Sequence, residues 1–276
     1  MNAALRLALA LPAVFPLAGG AQLQLLPAPQ PAQVFAGTNR RIELTWHNAG
    51  DQPIEAELRH KLYQASSATA APLGEAPWKR LQILPHQTLL ELAMLDFPAV
   101  RTESRFLVQW IEGSNTVVGI TDLLVYPTNL LSELGTLAGD APIAVLDPGN
   151  ELKPLLALLN IEFTDLEASH VGGYRGKLII ARPFRSGGQM RNGLALQLAA
   201  AARKGAGVVW IQPPRNRREK LMPSFYAVAE GTGAVVVAED ALVSDLAGNP
   251  QSQINLVHLA RRALHPEPPC LPLALR

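Results

Sequence analysis

Polar and apolar residues alternate along most of the first half of this chain, and the period changes in the second half. Arg41–Trp46 alternates strictly, as a half-buried strand does. Asn48–Pro53 is a turn cluster, and Ile54–Gln64 alternates again. Ala65–Pro77 is built of small residues and reads as a loop. Leu81–Pro85, Gln87–Met94, Phe106–Ile111 and Thr116–Tyr126 read as further strands, with Glu112–Asn115 as a turn. Residues 22–38 are rich in Pro, Gln and Ala and form either a first edge strand or a short linker. About seven strands at roughly ten-residue spacing, with no helical stretch between them, predict an antiparallel β-sandwich.

After Tyr126-Pro127 the pattern switches. Leu130–Leu137 predicts a short helical linker. Ile143–Asp147 is a compact apolar strand, closed by the turn Pro148-Gly149-Asn150. Glu151–Leu159 places Leu152, Leu155, Leu156 and Leu159 on one helical face, with Pro154 in the first turn, where proline is tolerated. Further strands are expected at Ile161–Thr164, Lys177–Arg182, Val208–Gln212 and Ala234–Ala238. Helices are expected at Met190–Lys204 and Ser252–Ala263. Strands separated by helices pair in parallel through right-handed crossovers, which makes this half a three-layer α/β domain. The expected strand order is 2-1-3-4-5, and ligands of such sheets bind beyond the carboxyl ends of the strands. Here those ends offer Asp147, Thr164, Arg182 and Gln212.

The expected organisation is a leader at 1–21, a sandwich at 22–127, a linker at 128–139, an α/β domain at 140–265 and a proline-rich tail at 266–276. The leader has one charge, Arg6, followed by the apolar run Leu7–Leu17 and small residues at Ala18–Ala21, the pattern of a secretory signal. Cleavage is expected after Ala21, with Gly20 as the alternative, and the protein is expected in the periplasm or outside the cell. Pro12 and Pro16 interrupt the run, so no stable membrane span is expected there. A hydrophobic fraction of 48% and a charged fraction of 17% support packed cores and exclude a disordered chain. Net charge is +1, which predicts no nucleic-acid footprint. The one dense basic cluster, Arg215, Arg217, Arg218 and Lys220, reads as a solvated loop or as the rim of a site for an anion. Cys270 is the single cysteine, so no internal disulfide forms.

Two resemblances follow from these stretches. "LTWHNAGDQPIEAEL" is similar to the strand, turn, strand pattern of immunoglobulin-like modules in secreted bacterial proteins. "IAVLDPGNELKPLLALLNIEFTDL", "YRGKLIIARP" and "LAAAARKGAGVVWIQPP" together resemble a class I glutamine amidotransferase-like domain of flavodoxin-like architecture. Catalytic members of that family use a Cys at a strand-to-helix elbow and a later His-x-Glu pair. Here Gly207–Gln212 runs into Pro213-Pro214, and His258-Leu259-Ala260 has no acid two places on. The resemblance therefore implies the fold without that chemistry. Ser186 is the nearest substitute nucleophile, and it would need His170 or His258 as a base.

Other candidates are polar groups and one aromatic. Asp147 is expected to cap the Pro148-Gly149 turn. Arg182, Phe184 and Arg185 form a candidate ligand rim, or else a salt-bridged surface loop. Trp46, Trp110 and Trp210 are expected in the core, whereas Trp78 is the candidate exposed platform for stacking a sugar. His47, His60 and His86 lack zinc-ligand spacing, and Asp51, Asp96 and Asp122 are too scattered for calcium. Gly172-Gly173 and Gly187-Gly188 are not a dinucleotide fingerprint, so no cofactor is expected. The ligand set is thus Asp147, Arg182, Arg185, Gln212 and Trp78, with no catalytic or metal-binding residue. The expected function is non-catalytic binding or assembly with a glycan or protein partner. A hydrolase accessory to glycan breakdown, using Asp147 and Asp165, and a structural scaffold are the rivals.

Overall fold

In the computed structural model, which describes residues 22–182, 193–212, 225–230 and 232–266, the alternating half of the chain is strand almost throughout. The expected leader, Arg185 and Ser186, the basic cluster at 215–220 and Cys270 lie outside the described residues. The strands are β1 (Leu23–Leu26), β2 (Ala32–Phe35), β3 (Gly37–Asn48), β4 (Ile54–Ala65), β5 (Ala70–Ile83), β6 (Thr88–Phe97), β7 (Ser104–Glu112) and β8 (Thr116–Tyr126). They form a three-stranded sheet, β1-β3-β6, and a five-stranded sheet, β2-β8-β7-β4-β5. The stretch left open between edge strand and linker holds two strands. They join different sheets, and β2 lies parallel to β8.

The chain divides into two compact units. One comprises residues up to Gln30, Ile42–Ala93 and Phe106–Asp122, and the other Pro31–Arg41, Met94–Arg105 and everything from Leu123 onward. The first unit is centred on tryptophan. Trp46 of β3 and Trp110 of β7 are fully buried and meet edge to face at 5.9 Å between ring centroids. Trp78 of β5 closes the cluster, 4.9 Å from Trp110 and 6.0 Å from Trp46. Such pairs add about 0.5–1.5 kcal/mol each beyond the area they bury. The cluster joins the two sheets, because β3 belongs to one and β5 and β7 to the other.

Residues 65–77 are a correction to the sequence reading. They are not a loop, because β5 begins at Ala70 and pairs with β4 from Ala65↔Ala70 to Ile54↔Ile83, with two irregularities in register. Ser66 and Thr69 close the tip through Ser66 N–H to the Thr69 carbonyl at 2.8 Å. The outer part of this hairpin, Ala70–Glu75, is exposed, so no apolar alternation marks it.

Where β3 ends, Asn48 is fully buried. Its Nδ2 donates to the carbonyls of Gln52, Ile83 and Leu84 at 2.8, 3.2 and 3.1 Å, and its Oδ1 accepts from Gly50 N–H at 2.9 Å. One amide thus holds the expected turn and ties it to the end of β5.

In the second unit every expected element appears. They are α1 (Ser132–Ala138), β9 (Ile143–Leu146), α2 (Lys153–Leu158), β10 (Phe163–Asp165), β11 (Leu178–Ala181), α3 (Leu194–Arg203), β12 (Gly207–Gln212), β14 (Gly233–Glu239) and α4 (Pro250–Leu264). The sheet order is β10-β9-β11-β12-β14, all parallel, which is the expected 2-1-3-4-5. An unexpected strand, β13 (Phe225–Glu230), adds an antiparallel edge on β14. Parity along the strands sorts the layers. Ile143, Val145, Ile180, Val209 and Val236 face α1, α2 and α4. Ala144, Leu146, Ile179, Val208 and Val235 face α3. Gly207 has no room for a side chain, since a Cβ there would stand 2.8 Å from the Ala263 carbonyl carbon of α4.

Two outcomes follow for stability. Asn48→Ala removes a fully buried amide and its bonds to three carbonyls, of which only that of Ile83 is buried, and should lower stability by about 1–2 kcal/mol in urea unfolding. His60 packs 5.8 Å from Trp110, and burial lowers its pKa below the ordinary 6.5. Below that pH the unfolded chain takes up a proton that the fold resists. Stability should therefore fall as pH drops from about 6.5 toward the depressed value. His60→Gln should flatten that part of a melting-temperature profile between pH 7 and 5, leaving the loss due to carboxylate protonation at lower pH.

Candidate functional site

The carboxyl ends of the parallel strands gather the charged groups that the strands themselves exclude. Arg182 follows β11 directly, and its N–H donates to the Leu146 carbonyl of β9 at 2.7 Å. This is the place where the strand order reverses, since β9 has β10 on one side and β11 on the other. The Arg182 side chain is 5% exposed. Its Nη2 donates to Glu151 Oε2 and to Asp240 Oδ1, each at 2.9 Å. Glu151 stands in the turn before α2, and Asp240 follows β14. The guanidinium therefore links the ends of three strands across the top of the sheet. Its Nη1 is buried with no hydrogen-bond partner among the described residues.

Asp147 is buried and does a different job from the one expected. Its Oδ2 accepts from the N–H groups of Leu152 and Lys153 at 2.6 and 3.2 Å, so the carboxylate caps the start of α2. The Pro148-Gly149 turn is closed by the main chain instead, through Asn150 N–H to the Asp147 carbonyl at 2.9 Å. A carboxylate satisfies two amides that helix formation leaves without partners, and the turn needs no side chain.

Lys153 links Asp147 to the neighbouring strand. Its Nζ donates to Asp165 Oδ2 at 2.8 Å and also to Glu167. Burial alone would lower the ammonium pKa. The hydrogen bonds that Nζ donates to Asp165 and Glu167 outweigh it and raise the pKa above the ordinary lysine value. In turn the bond from Lys153 holds Asp165 below the ordinary carboxylate value, against the opposite pull of burial. The two carboxylates of the hydrolase alternative thus meet at one lysine residue. A general acid needs a raised pKa, and that of Asp165 moves the other way.

The remaining candidates are dispersed. Gln212 ends β12, half-buried and opposite Glu239 in register. Trp78 is not in a loop and does not stand free. It is half-buried in β5 against two other tryptophans, because the strand continues through the stretch that the sequence suggested was irregular. Among the expected core tryptophans, Trp210 is only half-buried. His170 and His258 are not brought together. His170 lines a cavity of about 650 Å³ with Thr164, Ser169 and Tyr174, whereas His258 lies on α4 in a groove with α1. Among the described residues no group of three or more His, Cys, Asp or Glu could hold a metal ion, and no helix is long and apolar enough to cross a membrane.

Glu151 and Asp240, the partners of Arg182, were not singled out from the sequence. The strand-end rule does not reach Asp240, because the expected fifth strand ends at Ala238 whereas β14 runs on to Glu239. Glu151 gives no signal either, since it looks like an ordinary acid at a helix start.

No known family model matches the sequence, and no curated protein does. Part of the chain is similar to an alkylpurine DNA glycosylase from Pseudomonas fluorescens, at 11% identity and a TM-score of 0.30, over 38% of this chain and 31% of that one. A β-glucosidase from Listeria innocua gives 13% and 0.28, over 38% and 16% of the two chains. A β-glucosidase from Bifidobacterium adolescentis gives 10% and 0.27, over 37% and 17%. The chain spans less than a third of the length of each. Likenesses this slight carry no argument about function. The class that the fold itself defines is a β-sandwich joined to a mostly parallel α/β domain.

Arg182→Met should leave Glu151 and Asp240 without their shared counter-charge. The expected loss is about 2–3 kcal/mol, reduced from the value for a fully buried pair because both acids are partly exposed. Urea unfolding followed by circular dichroism at the helix band would measure it, and Arg182→Lys should recover only part, since an ammonium lacks the planar fork.

Proposed function

We propose that this protein is an exported binding or assembly component of the cell envelope, built on an amidotransferase-like α/β domain that performs no catalysis. The observation that carries this reading is the double ion pair of Arg182 with Glu151 and Asp240, beside Asp147 committed to the start of α2. Arg182, Glu151, Asp240 and Asp147, at the place where such sheets usually act, are engaged with one another or with the main chain. The depressed Asp165 carboxyl also argues against an acid–base pair there. The leader-like first 21 residues support export. A glycan or an envelope protein is the proposed partner.

The test is paired turnover and binding on the purified chain. Chromogenic glycosides, esters and glutamine should be turned over no faster than background, with Asp147→Asn and Arg182→Lys giving the same rates as the parent. Thermal unfolding against oligosaccharides and isolated envelope proteins should show a dose-dependent shift. A ligand at 100 times its Kd adds about 2.7 kcal/mol to the unit that holds it. Turnover abolished by either substitution would overturn the proposal.

A further inference from the structure

One crossover of the parallel sheet lacks its helix. The connections β9–β10 and β11–β12 carry α2 and α3, whereas residues 166–177, between β10 and β11, form only a single 3₁₀ turn, Val171–Gly173. Beside this turn lies a hollow of about 650 Å³. Thr164 of β10 lines it and pairs in register with Ala144, whose side chain faces α3. Pro142 and Gly176, which precede β9 and β11, line it as well. The hollow thus stands at the amino ends of these strands, away from Arg182. A second hollow of about 200 Å³ shares Tyr174, Arg175 and Gly176 with the first and reaches α3.

Ala141, Pro142 and two glycines give the larger hollow apolar walls. The Tyr174 ring stands between the two hollows and is fixed in place. Its hydroxyl lies 2.8 Å from the Pro142 carbonyl and 2.9 Å from the Leu178 carbonyl. A ring already held at its hydroxyl offers its surface to a ligand at little further cost in entropy. The charge in the lining has one sign and needs no protonated histidine. The Arg175 side chain makes no hydrogen bond or ion pair with any described residue, and neither does that of Lys204 in the smaller hollow. No Asp or Glu lines either hollow, and the nearby acids Asp165 and Glu167 are taken by Lys153. Lys204 ends α3, where the helix dipole favours a cation. Nothing comparable accounts for Arg175. A guanidinium at an apolar hollow with an aromatic wall is complementary to a small organic acid. The carboxylate meets the planar fork and the apolar body fills the space. The volume falls within the roughly 300–1,000 Å³ usual for small-molecule sites.

We infer that this hollow binds a small aromatic carboxylate, with the acid group on Arg175 and the ring against Tyr174. The inference goes beyond the envelope-partner reading, and neither depends on the other. The probe is 2-naphthoate, titrated into the isotope-labelled full chain and followed by nitrogen–proton correlation spectra. The controls are 2-naphthamide, which keeps the ring without the charge, and inorganic phosphate, which keeps a charge without the ring. Naphthoate should give saturable shifts at the amides of Gly173, Tyr174 and Gly176, and each control should bind at least about tenfold more weakly. Arg175→Ala, at an exposed position, should weaken naphthoate about tenfold, and Lys204→Ala less than about threefold. Gly173 lines the hollow, and a Cβ there would meet nothing within 4 Å. Gly173→Leu should therefore fill the hollow and abolish the shifts at an unchanged melting temperature. The site is overturned by an absence of saturable binding, or by either control binding as tightly as naphthoate. Binding unmoved by Arg175→Ala or by Gly173→Leu would overturn it equally.

Discussion

Four of the five parallel strands of the second unit, all but the edge strand β10, have no solvent face. Helices cover the sheet on both sides, so β9, β11 and most of β12 and β14 are buried at every position. A polar side chain within them would lose its hydration with no partner in reach. Charge is therefore displaced to the strand ends, where the backbone turns and carboxylates from separate loops approach. Arg182 is the outcome. It follows a strand of four fully buried residues and reaches sideways to Glu151 and Asp240. The same pressure puts Asp147 at the start of α2 and Lys153 between Asp165 and Glu167.

This changes what the polar residues of the strand ends are for. In a catalytic α/β domain some of these positions are kept strained, exposed or at perturbed pKa, with stability given up for reactivity. Here the resolved shifts run toward pairing. Lysine is raised and its aspartate partner lowered, so each group is held in its charged form. Groups arranged in this way stabilise the fold.

The first unit solves a different problem with different means. Its strands alternate, so each sheet has one apolar face, and the two faces meet around Trp46, Trp78 and Trp110. The chain must still turn at the rim of that core, and Asn48 is buried there because its amide replaces hydrogen bonds that three carbonyls and one N–H would otherwise take from water. The β4–β5 hairpin extends past the core, and there the main-chain ladder alone defines the strands.

Periodicity along the sequence determined the two architectures, the five parallel strands with their order, and α1, α2 and α4 to within two residues at each end, while the start expected for α3 at Met190 lies outside the described residues. Burial on one face or on both leaves a pattern readable one residue at a time. What that pattern could not reveal was pairing. Ala70–Glu75 became a strand only because β4 lies beside it, and Phe225–Glu230 only because β14 does. Trp78 looked like a free platform from its neighbours Pro77 and Lys79, while its actual surroundings come from β3 and β7, some thirty positions away on either side. Asp147 and Arg182 were visible as strand-end groups, yet their roles depended on the main-chain amides of α2 and on acids at positions 151 and 240. Side-chain type and local spacing travel along the chain. The partner that satisfies a buried charge is chosen by distance in space, and only the tertiary structure sets that distance.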